Sequence, residues 1–218
     1  MANTLFDKIL CVGKNYSDHI QEMKQLSGDA PPEKPVLFMK PPSALCQASY
    51  ATTPLQVKMP QAYEGSLHPE CEIVLRLNKG GYGLSVDQAQ GAIEEVTVGL
   101  DMTLREVQTR LKKSGHPWEI SKAFLNSAII GPWHSVEEFP NWMNEEFSLA
   151  IQGSPKQKAL PTSMLYSPAQ CIAYMSQHFC LLPGDVIFTG TPAGVSPVAR
   201  GETANVKWGP IAYSVQWL

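Results

Sequence analysis

Two acidic residues separated by a single position, Glu70 and Glu72, stand directly before the apolar run Ile73 to Leu77 in the stretch HPECEIVLRL. If that run is a strand, its period of two sends both carboxylates to one face. Like charges held that close repel unless a cation neutralises them, so the pattern points to a metal ion; an exposed strand edge with two solvated acids is the plain alternative. Asp101 adds a third carboxylate after Val98-Gly99-Leu100, where a strand is expected to give way to a helix. The same acid would also serve as a helix-start residue favoured by the dipole. Three carboxylates without paired Cys or His form an all-oxygen set, which suits Mg2+ or Mn2+, admits Ca2+ and argues against structural zinc.

A second grouping concerns proton transfer and anion binding. His19 and Glu22 are three apart on a predicted helix and share a face, so the carboxylate can orient the imidazole as a general base, unless the two form only a solvated surface pair. Asn15 would cap that helix. Thr189-Gly190-Thr191-Pro192 follows a predicted strand. Its glycine lets backbone N–H groups approach a substrate carboxylate, although an ordinary tight turn has the same composition. Arg105, Gln108 and Lys122 are polar candidates for the same anion, each of a type usually found at the surface.

The elements that must position these groups are readable in outline. KILCVG is β-prone, and Ile20, Met23 and Leu26 after it recur three apart as on an amphipathic helix. That helix, at about residues 15–27, is the expected lid, bordered by the Gly/Pro-rich connection SGDAPPEKP. PVLFMKPP and PLQVKMP, fenced by prolines, read as edge strands. CEIVLRLNKGG is a strand closed by a glycine turn, SVDQAQGAIEEV has helical spacing, and TVGLDM returns to β. TLREVQTRLKKSG reads as a helix ending at Gly115, with Thr103 and Glu106 as a capping box that starts it within a residue or two of Thr103. FSLAIQG, GDVIFTGTP, NVKW and IAYSVQW are strand-like, and SPAQCIAYMSQHF is helical. Strands outnumber helices and do not alternate with them one for one. The expected fold is therefore α+β and β-rich, a mixed sheet or rolled sandwich with a few outer helices, in a single catalytic domain over residues 1–218.

Composition narrows the partners. A formal charge of -3 and a pI near 6.0 provide no basic stripe for phosphates, so no nucleic-acid partner is expected. The 5 cysteines form an odd set without a C-x-x-C pair, which indicates neither a disulfide framework nor a zinc knuckle and fits a reducing cytoplasm. No stretch approaches the roughly 18 apolar residues of a membrane span. The run Ile9 to Val12 is too short for a secretory signal, so a soluble cytoplasmic protein without a membrane partner is expected.

Six stretches, CVGKNYSDHIQEM, PVLFMKP, HPECE, GLDMTLREVQ, SKAF and GDVIFTGTPAGVSPV, together resemble the fumarylacetoacetate hydrolase family, especially its short acylpyruvase-like members. The resemblance runs nearly end to end and in the family's order. It implies that family's rolled sheet and metal ligation by Glu70, Glu72 and Asp101. It further implies Lys122 beside the metal, Arg105, Gln108 and Thr191 near the substrate, and Lys14 where many relatives carry arginine. Pro69 interrupts the more usual HHE or HYE-like start of the metal motif, which affects the path of the strand and leaves the ligands in place. In acylpyruvase-like members a lid helix brings a His and a Glu to activate water, and His19 with Glu22 matches those positions.

The activity so implied is a metal-dependent hydrolase that cleaves a C–C bond in 3-acylpyruvate-type β-diketo acids, with Lys122 offsetting developing negative charge. The alternative on the same platform is an oxaloacetate decarboxylase or tautomerase, or an isomerase of unsaturated dicarboxylates. The alternative of another class is a non-catalytic oligomeric metal-binding protein. A homodimer is expected by the same analogy.

Overall fold

The computed structural model describes residues 6–20, 33–50, 52–60 and 65–218. In chain order the strands among them are β1 (Ile9–Gly13), β2 (Val36–Lys40), β3 (Leu45–Gln47), β4 (Leu55–Val57), β5 (Leu67–Leu77), β6 (Ile93–Leu104) and β7 (Ala128–Ile130). Then follow β8 (His134–Ser135), β9 (Phe147–Ile151), β10 (Ser154–Ala159), β11 (Val186–Phe188), β12 (Thr203–Trp208) and β13 (Ile211–Trp217). The helices are α1 (Val86–Gln90), α2 (Arg105–Lys113) and α3 (Pro168–Ser176), and residues 17–20 are helical as well.

Two sheets result, so the α+β, β-rich expectation holds. The first runs β2-β1-β11-β5-β6-β7-β3, with β8 also on β6; the second runs β10-β9-β12-β13-β4. Both are mixed: β1 with β11, β3 with β7 and β13 with β4 are parallel, and the remaining pairs are antiparallel. The two proline-fenced runs, β2 and β4, do lie at sheet edges, where a missing N–H costs no ladder bond.

Side-chain alternation divides each strand between two environments. Leu10 and Val12 of β1 belong to the main core with Val206, Trp208 and Trp217 of the second sheet, while Ile9 and Cys11 join Phe38, Val74 and Phe188 in a smaller cluster. Burying a large apolar side chain stabilises by about 1.5–3 kcal/mol, and Phe147, Trp208 and Trp217 are fully buried in the main core. On β5, Cys71, Ile73, Leu75 and Leu77 point into that core, which leaves Glu70 and Glu72 on the opposite face with Val74. On β6, Val98, Leu100 and Met102 do the same and place Gly99 and Asp101 on the carboxylate face.

Four local expectations are corrected. Thr103 and Glu106 do not form a capping box: Thr103 is the penultimate residue of β6, and α2 begins at Arg105 with no side-chain cap. Glu106 bonds Ser66 instead, accepting from its N–H at 2.7 Å and its hydroxyl at 2.8 Å, which ties α2 to the start of β5. The helical spacing of SVDQAQGAIEEV holds only over α1, because Gly91 ends the helix and Ile93 already belongs to β6. Asp101 consequently lies inside a 12-residue strand and not at its junction with a helix. Among the described residues the Asn15 side chain makes no helix cap and instead bonds the backbone of Thr189 and Tyr166. Pro69 is accommodated within β5 because β11 pairs that strand only from Val74 to Arg76, so no ladder needs an N–H on its open flank.

Candidate active site

Strand register brings the acids together. Glu70 lies opposite Asp101 and Glu72 opposite Gly99, so two carboxylates from β5 and one from β6 share a face. Their oxygens lie within 4.8 Å of one another, and all three residues are buried. Gly99 is required there: a Cβ would come within 2.7 Å of the Ile129 carbonyl and 2.8 Å of Val74 Cγ2.

Three cations meet two of the three acids, Glu70 and Asp101. The Lys122 ammonium donates to Asp101 Oδ2 at 2.5 Å and to Glu70 Oε2 at 2.8 Å. Its backbone is held by the turn Glu119–Ser121 and by the Ser127 hydroxyl, which donates to the Lys122 carbonyl at 2.7 Å. Arg105, the first residue of α2, pairs with Glu70 Oε1 and donates to Gln108 Oε1 at 2.9 Å. Lys40, fully buried on β2, donates to the Lys122 carbonyl and lies 2.7 Å from Asp101 Oδ1. That last contact is an ion pair without hydrogen-bond alignment, so the buried Oδ1 accepts no hydrogen bond.

The electrostatics are uneven. Burial alone would push Glu70 up, but Lys122 and Arg105 outweigh it and hold its carboxyl well below the usual carboxylate range. Burial, reinforced by repulsion from Asp101 and Glu70, drives Glu72 well above it, despite Lys122 and the Gly190 N–H. Burial would lower Lys122, yet Asp101 and Glu70 carry it above its ordinary value. A repelled Glu72, an Asp101 oxygen without a hydrogen bond and a donor set made only of oxygens together fit a hard divalent cation, which Glu70, Glu72 and Asp101 would hold.

The loop after β11 closes the floor. Gly190, at φ +101, donates its N–H to Glu72 Oε2 at 2.7 Å, and a Cβ there would come within 2.7 Å of Asn15 Cβ. The predicted anion loop thus spends this donor on Glu72. Thr191 donates to the Cys71 carbonyl at 2.9 Å and accepts from Gln157 Nε2 at 2.8 Å. Gln157, buried on β10 of the second sheet, also accepts from the Cys71 N–H at 2.9 Å, between the two ligand acids.

A cavity of about 180 Å³ opens above the acids. Its lining includes His19, Lys14, Arg105, Gln108, Lys122 and Thr191, so these sequence-predicted residues share one space with Glu70, Glu72 and Asp101. Lys14 turns the chain there at φ 60, a left-handed conformation that few non-glycine residues adopt. Glu22, the intended partner of His19, and the lid helix beyond residue 20 lie outside the described residues. Sequence reasoning missed Lys40, Gln157, Trp118 and Lys112. The lysine of PVLFMKP could have been found from its odd place among apolar residues, whereas Gln157 gives no local signal because its partners are far away in the chain.

Comparisons with known proteins agree with this arrangement. The family model described as fumarylacetoacetate (FAA) hydrolase C-terminal matches residues 8–212. The oxaloacetate tautomerase YcgM of Escherichia coli (strain K12) is 40% identical over 202 residues, spanning 92% of this chain and 88% of that protein. The mitochondrial oxaloacetate tautomerase of Bos taurus is 37% identical over 194 residues, spanning 89% of this chain and 83% of that protein. Among solved structures, the fumarylpyruvate hydrolase from Pseudomonas aeruginosa in complex with Mn2+ and pyruvate superposes with a TM-score of 0.90 at 36% identity, covering 97% of this chain and 89% of that one.

Proposed function

This chain belongs to the fumarylacetoacetate hydrolase family, and from that premise we propose that it is a divalent-metal-dependent enzyme interconverting the enol and keto forms of oxaloacetate or a near 2-oxo acid. Tautomerisation is favoured over the C–C hydrolysis expected from the sequence because tautomerases are among its most similar relatives. The carrying observation is the convergence of three buried carboxylates, two of them bridged by Lys122, at the floor of a cavity. Glu70, Glu72 and Asp101 would hold a divalent ion that would supply Lewis acidity toward a 2-oxo acid.

The chain's own residues do the rest. Arg105 orients Gln108 through its second guanidinium nitrogen, and both face the cavity where a substrate carboxylate would sit. Lys122, locked on two acids, offsets negative charge developing on the substrate's 2-oxygen. His19, buried at 6% exposure in the cavity wall, takes the proton that the 2-hydroxyl releases and gives one to C3, so that no net proton is gained or lost, and it runs the same transfer backwards in the reverse direction.

Hydrolysis remains the second reading, favoured by the likeness to the fumarylpyruvate hydrolase and by the same His19, acting on water. The test follows decay of enol-oxaloacetate absorbance with purified protein and Mg2+ or Mn2+, with acetylpyruvate cleavage assayed alongside. Metal-dependent tautomerisation that Glu72→Ala abolishes is the expected result. Absence of any metal-dependent acceleration of either reaction would overturn the enzymatic reading, and His19→Ala that loses cleavage alone would favour hydrolysis.

A further inference from the structure

We propose that Lys112 reads a second anionic group on the substrate, at the end away from the carboxylate floor, and so selects 2-oxo acids that carry a distal carboxylate. The proposal rests on the 2-oxo acid reading above and adds the residue that sets its substrate preference.

Three residues of α2 line the cavity, Arg105, Gln108 and Lys112, at spacings of three and four that make one stripe along the helix. Arg105 at the first turn is spent on Glu70. Lys112, seven residues on, starts about 10 Å further along the helix axis, at the mouth of the same cavity. Its ammonium sits over the face of Trp118, 5.0 Å from the ring centre, and Trp118 packs on Phe38 with ring centroids 5.0 Å apart. This aromatic wall holds the flexible lysine toward the cavity. By surface area Lys112 is exposed, yet protein crowds one side of its ammonium: it stands on the rim, open to solvent and walled toward the cavity.

Charge separates this rim from the floor. Lys122, Arg105 and Lys40 each meet a carboxylate, whereas Lys112 has no carboxylate partner among the described residues. Burial and the neighbouring Lys122, Lys14 and Arg105 push its ammonium down to about 8, and Glu70 opposes them only in part. A cation crowded by cations on a cavity rim is relieved by an anion brought in with the ligand. A merely solvated surface lysine would not discriminate between ligands that differ only at the distal end.

The test uses a pair matched in length, oxaloacetate and 2-oxobutanoate, titrated calorimetrically into the magnesium-loaded full chain, its Lys112→Met variant and its Lys112→Arg variant. Wild type is expected to bind oxaloacetate about tenfold more tightly than 2-oxobutanoate. Lys112→Met should lose most of that preference while holding 2-oxobutanoate within about twofold of wild type, and Lys112→Arg should restore it. An unchanged preference in Lys112→Met, or a parallel loss for both ligands, would overturn the assignment. If wild type binds both ligands and discriminates with or without the lysine charge, Lys112 alone fails. If the magnesium-loaded wild type binds neither, the 2-oxo acid reading fails and this inference with it.

Discussion

The floor and the mouth of the cavity are charged regions built in different ways. At the floor, Glu70, Glu72 and Asp101 come from two paired strands, and Lys122, Lys40 and Arg105 neutralise Glu70 and Asp101 within hydrogen-bonding distance. At the mouth, Lys112 is carried by the last turn of a helix and is steadied by a ring face. A buried floor whose acids await a cation suits the part of the reaction common to every 2-oxo acid, while a rim with a lysine that meets no carboxylate is where one substrate can be told from another.

The largest expected effects break the floor. Asp101→Ala and Glu72→Gln should each remove Mn2+ binding and lower turnover by roughly 10³-fold, as calorimetry and rate assays would record. Their stabilities should part company. Asp101→Ala leaves Lys40 facing no carboxylate and Lys122 only Glu70, at a cost of about 3–5 kcal/mol in the chelator-treated protein. Glu72→Gln removes a repelled acid and should leave that protein as stable as wild type or more so. Equal losses in urea denaturation would mean that the floor has no built-in demand for a cation.

Away from both charged regions, Trp217→Ala in the second sheet should cost about 3–5 kcal/mol with metal affinity unchanged in the folded protein. A matching fall in metal affinity would show that the second sheet does more than fill the core. Gln157→Leu tests a polar link between that sheet and the floor. With Cys71 N–H and Thr191 unsupported, metal affinity should fall about tenfold. Unchanged affinity would confine Gln157 to packing.

The smallest effect concerns the rim. Lys112 binds an anion only as an ammonium, and its value lowered to about 8 means that this form is lost as pH rises through 8. Preference for oxaloacetate over 2-oxobutanoate should therefore decline above pH 8 and level off near that of Lys112→Met, a total fall of about tenfold. The charged groups that face it, Lys14, Lys122, Arg105 and Glu70, are the other contributors to that profile. Lys112→Arg, which keeps its charge, should flatten it, and an equally steep decline in that variant would assign the titration to another group.

Much of this molecule was readable from spacing. The period of two placed Glu70 and Glu72 on one face, proline-fenced runs became edge strands, and the ordered motifs indicated the family. Local rules failed where a distant partner intervened. Thr103 and Glu106 satisfy a capping-box pattern, yet Ser66 takes the glutamate and β6 takes the threonine. Asn15 looked like a cap and instead joins the chain turn at Lys14 to the loop after β11.

Which side chains can share a strand face or a helix stripe follows from residue order alone, because it depends on periods of two and 3.6 that any strand or helix must obey. That Asp101 lies opposite Glu70, that Lys40 is buried against Asp101, and that Gln157 crosses from another sheet became visible in the folded chain alone. These depend on register and on long-range hydrogen bonds, which are set by how two sheets pack and not by any residue's neighbours in the chain.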